Sequence, residues 1–255
     1  MLKMKRILTL FMLSAIISMV SFIGSAAASS GNEVKLIDSQ VVKDRFNFYA
    51  FTGNIEVANL GYAKSVTVHY TTDNVTWYDV NAQYVGPTSS THEKWNFSIY
   101  TSSLTADHPE LKYLNFVKFA IKYTVNGITY WDNNNSNNYY NEPNNVLPNS
   151  AILGNVNVAK AYDYLYTDTF SGAVYVKNID PTKTVKIVYS TDNWATVHEG
   201  YATYVNRSNN FNTVELWTYN FNVPGATEVK YAISYTTAGS TYWDNNYGSN
   251  YTVTY

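Results

Sequence analysis

Cysteine is absent from all 255 residues, which excludes a disulfide framework and a lipid-bearing cysteine near the start. Charge is scarce as well: 14% of residues are Asp, Glu, Lys or Arg, and the formal net charge is −2. So weak an acidic balance argues against a nucleic-acid partner or an anionic membrane surface. The four histidines, His69, His92, His108 and His198, stand at no metal-ligand spacing, and nucleophile motifs and phosphate-binding glycine loops are missing. Beyond residue 28 no stretch keeps a helical period, so strands must carry the fold. What the chain has in quantity is aromatic and amide: 25 Tyr and 6 Trp among many Asn, Ser and Thr. Uncharged polar groups interleaved with aromatic rings suit a neutral polyhydroxylated ligand.

Lys3, Lys5 and Arg6 precede an apolar run from Ile7 to Ile23, followed by Ala26, Ala27 and Ala28. The run is about 17 residues, the short end for a membrane span, and small residues follow at once. Residues 1–28 therefore read as a signal peptide, and a secreted, extracellular, bacterial protein is expected. Its removal takes three of the 17 basic residues and leaves 14 against 19 acidic ones, a net charge of about −5. No membrane contact is expected after the leader is gone.

One phrase occurs twice, Tyr130-Trp131-Asp132-Asn133-Asn134 through Tyr140 and Tyr242-Trp243-Asp244-Asn245-Asn246 through Thr252. The match extends backwards: Phe51 to Leu60 aligns with Phe170 to Ile179, Lys64 with Lys183 and Tyr70 with Tyr189. This is a tandem duplication. Alternation of Val66, Val68 and Tyr70, answered by Val185, Ile187 and Tyr189, gives strands with one buried face, as does Trp95, Phe97 and Ile99 answered by Trp217, Tyr219 and Phe221. Asn126-Gly127 between two such runs predicts a type I′ hairpin, with Ala238-Gly239 in the same place. The chain is expected to be all-β, with two tandem antiparallel immunoglobulin-like β-sandwiches at 33–141 and 148–255. Residues 142–147 form a linker stiffened by Pro143 and the following Pro148, reaching at most about 25 Å.

The pattern Phe-x-Gly-x-Ile/Val-x-Val-x-Asn-Leu/Ile, then Lys, an aspartate before Trp, Glu-x-Trp-x-Phe/Tyr, and the closing Trp-Asp-Asn-Asn-x-Ser/Gly-x-Asn-Tyr resembles carbohydrate-binding module family 21. That family includes starch-binding domains of fungal glucoamylases and glycogen-targeting subunits of protein phosphatase 1. The resemblance covers both repeats and implies two sugar sites on each sandwich. One would rest on Trp77 with Trp131, and on Trp194 with Trp243, beside Asp132, Asn133 and Asn134, or Asp244, Asn245 and Asn246. Ala120 and Ala232 stand where starch binders of the family add a third aromatic, so this platform is smaller. The other would combine Asn59, Tyr62, Lys64, Tyr84 and Glu93 in the first repeat. The second repeat offers Asn178, Lys183, Tyr204 and Glu215, but Pro181 replaces the stacking Tyr, so a weaker site is expected. Trp77 lies four residues after Asp73 and Trp194 two after Asp192, so the loops should differ in shape.

The physical reason for such residues is that a pyranose presents C–H groups on its faces and hydroxyls on its rim, which an aromatic ring and amide or charged groups match. Plainer roles compete. Trp95 and Trp217 belong to alternating strands and read as core; Lys64 and Lys183, taken alone, are solvated cations. The Asp-Asn-Asn runs make Asx turns readily, and a single carboxylate per repeat is a poor calcium site. The pairs Glu93 with Asp132 and Glu215 with Asp244 are the only recurring carboxylates a glycosidase could use, and each repeat is only the size of a binding module. No catalysis, cofactor or metal is expected. Two readings remain: a secreted α-glucan-binding protein whose two modules act by avidity, with a separately secreted amylase as partner; and an extracellular structural or adhesion protein of the same fold that binds another glycan or a protein. The leader argues against phosphatase targeting.

Overall fold

The computed structural model describes residues 33–46, 48–101, 107–144 and 149–255. The expected signal peptide and residues 145–148 of the linker region lie outside them. The first repeat contributes β1 (Val34–Lys43), β2 (Tyr49–Ala58), β3 (Lys64–Thr71), β4 (Tyr78–Asn81), β5 (Gln83–Pro87), β6 (His92–Tyr100), β7 (Val117–Val125), β8 (Ile128–Asp132) and β9 (Tyr139–Asn141). Then come β10 (Asn149–Leu153), β11 (Val158–Tyr166), β12 (Thr169–Lys177), β13 (Lys183–Ser190), β14 (His198–Tyr201), β15 (Thr203–Arg207), β16 (Val214–Asn222), β17 (Glu228–Thr237), β18 (Ser240–Asp244) and β19 (Tyr251–Thr254). Among the described residues the one helical element is a 3-10 turn at Pro109–Leu111.

Each repeat is a sandwich of two antiparallel sheets. In the first unit β1-β2-β6-β5 faces β4-β3-β7-β8, with β9 also on β7; the second unit repeats this with β11-β12-β16-β15 and β14-β13-β17-β18, with β19 on β17. Period-two alternation turns Phe51, Val68, Tyr70, Phe119 and Ile121 into one core, and Phe170, Ile187, Tyr231 and Tyr235 into the other. Phe51 meets Phe97 and Phe119 edge-on at 4.9 and 5.0 Å, and each fully buried ring contributes about 1.5–3 kcal/mol by leaving water. Gly53 is required: a Cβ there would stand 2.6 Å from both the Asp38 carbonyl and the Phe97 ring. Both hairpins have the expected turn, with Asn126 at φ 52° and Gly127 at 75°, Ala238 at 48° and Gly239 at 75°.

The boundary expected at residue 148 needs correction. β10 does not open the second sandwich; it pairs antiparallel with β1 from Asp38–Leu153 to Val42–Asn149 and adds a fifth strand to the first unit's sheet. The chain then closes on β1, since the N–H groups of Gly154 and Asn155 donate to the carbonyls of Ile37 and Leu36. On its other side β10 touches the second unit: Ala151 N–H donates to Ser208, and Ala151 and Leu153 pack with Ala159, Tyr175 and Val214. The units are therefore joined by a shared strand and an apolar seam, not by a free tether.

Candidate functional site

In the first unit, Asn59, Tyr62, Lys64, Tyr84 and Glu93 come together around a cleft of about 680 Å³, with Trp95 as a further wall. Lys64 holds the polar side: its Nζ donates to Asn59 Oδ1 at 2.6 Å and to Glu93 Oε2 at 2.8 Å. The two ionic side chains are only 7% and 12% exposed, so Lys64 is a buried ion-pair member rather than a solvated cation. Trp95 is half-buried, packs against the core and aims its indole N–H at Glu93 Oε2, at 3.4 Å. Tyr84 meets it edge-on at 5.7 Å. Trp95 is thus a site wall as well as a core residue, which corrects its reading as core alone. Its strand position faces inward, but its neighbour β5 is a short sheet edge that leaves the ring partly open. Tyr62 stands fully exposed at the rim.

The second unit reproduces the polar half. Lys183 Nζ donates to Asn178 Oδ1 at 2.5 Å and Glu215 Oε1 at 2.8 Å, and Trp217 Nε1 donates to Glu215 Oε2 at 3.0 Å. Tyr204 meets Trp217 edge-on at 5.9 Å. Lys183 is as buried as Lys64, and Trp217 as partly open as Trp95. The missing element is the rim ring, where Pro181 stands.

The other expected platform is assembled differently in the two units. In the first, His69 stacks on Trp77 at 4.6 Å and 9° and meets Trp131 edge-on at 6.0 Å. Asp79 lies across the strand from His69, with Oδ1 2.5 Å from Nδ1. One face of Trp77 is therefore taken by an imidazole. Sequence reasoning missed His69 because it is a single histidine whose counterpart by register is Val188. Trp77 rides on a loop shaped by Asp73, which accepts the N–H groups of Val75 and Thr76 at 2.8 Å. Those bonds favour the carboxylate and lower its pKa to about 2. Asp192 does the same through Thr196, but Trp194 itself adopts a left-handed backbone at φ 71° and donates its N–H to Ser190 Oγ. The loops differ as their spacing implied. Among the described residues no ring contact joins Trp194 to Trp243. Trp243 is 54% exposed and lines a cleft of about 690 Å³ between the units, opposite Asp38, Asn54 and Lys94 of the first.

The Asp-Asn-Asn runs shape the loops. Asp132 accepts Leu36 N–H at 2.7 Å and the Tyr139 hydroxyl at 2.9 Å, Asn133 Oδ1 accepts Ser136 N–H, and Asn134 Nδ2 donates to the Asn138 carbonyl. Asp244, Asn245 and Asn246 repeat this with Lys160, Tyr251, Gly248 and Asn250. Burial raises the Asp244 carboxyl above its ordinary value. Of the three roles open to these residues, sugar contact, turn bonding and calcium, the bonds seen are those of turns and loops, made by their carboxylates and by these amide groups. Among the described residues no group of His, Cys, Asp or Glu is placed to hold a metal ion, and no helix is long and apolar enough to cross a membrane.

A family model described as carbohydrate/starch-binding module (family 21) matches residues 28–141 and again 150–254. Glucoamylase 1 of Rhizopus oryzae is 33% identical over 129 residues, 49% of this chain and 19% of that protein. Protein phosphatase 1 regulatory subunit 3B of Homo sapiens is 33% identical over 105 residues, 40% of this chain and 34% of that protein. The match thus spans only about a fifth to a third of these curated relatives. Among solved structures, the starch binding domain of Rhizopus oryzae glucoamylase, in complex with beta-cyclodextrin and maltoheptaose, is similar at 32% identity and a TM-score of 0.35, covering 39% of this chain and 94% of that one.

Proposed function

The chain belongs to carbohydrate/starch-binding module family 21 along both of its repeats, and from that premise we propose that it is a secreted, non-catalytic α-glucan-binding protein. The observation that carries this reading is the cleft of the first unit. Five separated residues, Asn59, Tyr62, Lys64, Tyr84 and Glu93, meet there with Trp95 as a wall. Tyr62 and Tyr84 offer ring faces for the C–H side of a glucose unit, while the Asn59–Lys64–Glu93 cluster, held rigid by its own bonds, faces the hydroxyls. The family's description as a carbohydrate/starch-binding module supports the same ligand class.

Export is supported by the basic start, apolar run and small residues of 1–28. An exported chain meets its glucan outside the cell, where a separately secreted amylase is the enzyme it would serve. The paired units support binding by avidity on long chains, with the first unit the stronger because it keeps its rim tyrosine. The test is sedimentation of the mature chain with insoluble starch, with cellulose and chitin as controls and release by maltooligosaccharides. Retention on starch alone is expected; equal retention on cellulose, or none on starch, overturns the reading.

A further inference from the structure

The second unit carries an aromatic trough that shares no residue with the sites above. It lies on the outer face of β11-β12-β16-β15, has a volume of about 550 Å³, and no residue lining it is charged. Tyr162 and Tyr164 form one wall, 42% and 60% exposed, with ring centroids 5.4 Å apart at 42°. Tyr201, 64% exposed at the end of β14, forms the other. Register places hydroxyl and amide groups between them: Tyr162 stands in line with Ala173, Thr218 and Thr203, and Tyr164 with Ser171 and Asn220.

The contrast with the first unit shows that the fold does not require these rings. By register, the counterparts of Tyr162, Tyr164 and Tyr201 are Asp38, Gln40 and Asn81. In the first unit Asp38 is buried against Asn54, and Gln40 accepts a hydrogen bond from Tyr175 of the second unit. The same face thus serves contact between units in one repeat and stands open with three tyrosines in the other. A concave surface of exposed rings over uncharged hydroxyls matches a chain whose faces are C–H and whose rims are hydroxyl. The lack of charge disfavours an anionic or cationic ligand.

We propose that this trough is an additional glycan site, in which one neutral, linear oligosaccharide lies between Tyr162 and Tyr164 on one side and Tyr201 on the other, its hydroxyls bonded by Ser171, Thr203, Thr218 and Asn220. The ligand class rests on the carbohydrate-binding reading above, but the trough stands or falls separately. The full mature chain is titrated calorimetrically with maltoheptaose, cellohexaose and xylohexaose, alone and with its other platforms removed by Tyr62→Ala, Trp131→Ala, Tyr204→Ala and Trp243→Ala. The platform-free chain is expected to keep binding one of the three. Adding Tyr164→Ala and Tyr201→Ala then weakens that binding by at least about tenfold, the scale of losing an anchor ring, whereas Tyr164→Phe and Tyr201→Phe retain most of it. Should the platform-free chain not fold, the Tyr164 and Tyr201 pair is changed in the intact chain, and loss of one binding event per chain is read instead. No residual binding, or residual binding indifferent to the alanine pair, overturns the trough and leaves the proposed function standing. Binding of cellohexaose or xylohexaose in the trough by a chain that ignores maltoheptaose upholds the trough and sinks the α-glucan reading. A chain that takes up none of the three, or an alanine pair that a protein ligand but no sugar detects, overturns it.

Discussion

Asp132, at the end of the strand that opens the first unit's repeated phrase, accepts the backbone N–H of Leu36, 96 residues earlier, at 2.7 Å. Asp244 binds Lys160 N–H at the same distance. Each contacted residue adjoins a β-bulge, Leu36/Asp38 in β1 and Lys160/Tyr162 in β11. The aspartate therefore ties one sheet to the irregular strand of the other. Asp132→Ala is expected to lower unfolding stability by about 1.5–3 kcal/mol, the scale of a charge-assisted bond. The Tyr139 hydroxyl loses its acceptor too. Denaturant unfolding beside a sugar titration checks this: a large loss of affinity with unchanged stability would show that the carboxylate contacts ligand instead.

Lys64 and Glu93 predict an asymmetric pair of effects. Lys64→Met leaves a carboxylate buried without its partner and should destabilise the first unit by about 3–5 kcal/mol, whereas Tyr62→Ala at the open rim should leave stability unchanged. The Tyr62 change should instead weaken α-glucan binding by about 1–3 kcal/mol. Thermal unfolding and calorimetry on both variants separate the outcomes.

Trp95 serves core and cleft together. Trp95→Ala should cost about 2–3 kcal/mol of stability, below the 3–5 of a fully enclosed tryptophan, and should also weaken sugar binding. Stability loss with full affinity would return the residue to the core alone.

Asp38 gives the expected pH response. Burial raises its folded pKa from 3.8 to about 6, only partly offset by Asn54 and Lys94. Between roughly pH 4 and 6 the folded chain holds a proton that the unfolded chain releases, so this group's contribution to stability falls as pH rises through that window and then levels off. The full penalty is at most about 3 kcal/mol. Asp38→Asn should raise stability at pH 7.5 and flatten the dependence between pH 4 and 6, measured by denaturant unfolding across that range.

The split of the chain matters for any dissection of avidity. A fragment of 33–141 lacks β10 and exposes the edge of β1, so it should unfold at lower denaturant and associate more readily than 33–155. Unfolding midpoints and light scattering on the two fragments decide it; equal behaviour would show that β10 contributes nothing to the first unit.

Local chemistry was legible wherever one stretch of chain determines it. Asn126-Gly127 and Ala238-Gly239 announce their hairpins because two successive positive φ values suit few other pairs, and alternation announced the cores. The residues that carry the family resemblance come together in both units, since Asn59, Lys64 and Glu93 have their counterparts in Asn178, Lys183 and Glu215 with the same bonds. Three things were not legible, each for want of a local signal. β10 follows the linker and reads as the start of the next repeat, yet its partner is β1, the first of the described strands. Trp95 alternates like a core residue, and only the shortness of β5 opens it. His69 acquires its place on Trp77 from a loop whose shape depends on Asp73, outside its own strand.

The pairing of β10 with β1 also sets an order on folding during synthesis. β1 must wait, with one edge uncovered, until every other strand of its own unit and the segment beyond have left the ribosome. A sheet closed so late has its longest-range contact made last. Ribosome stalling just before residue 149 should therefore hold a nearly complete first sandwich with an open edge, the state most prone to pair with a neighbouring nascent chain.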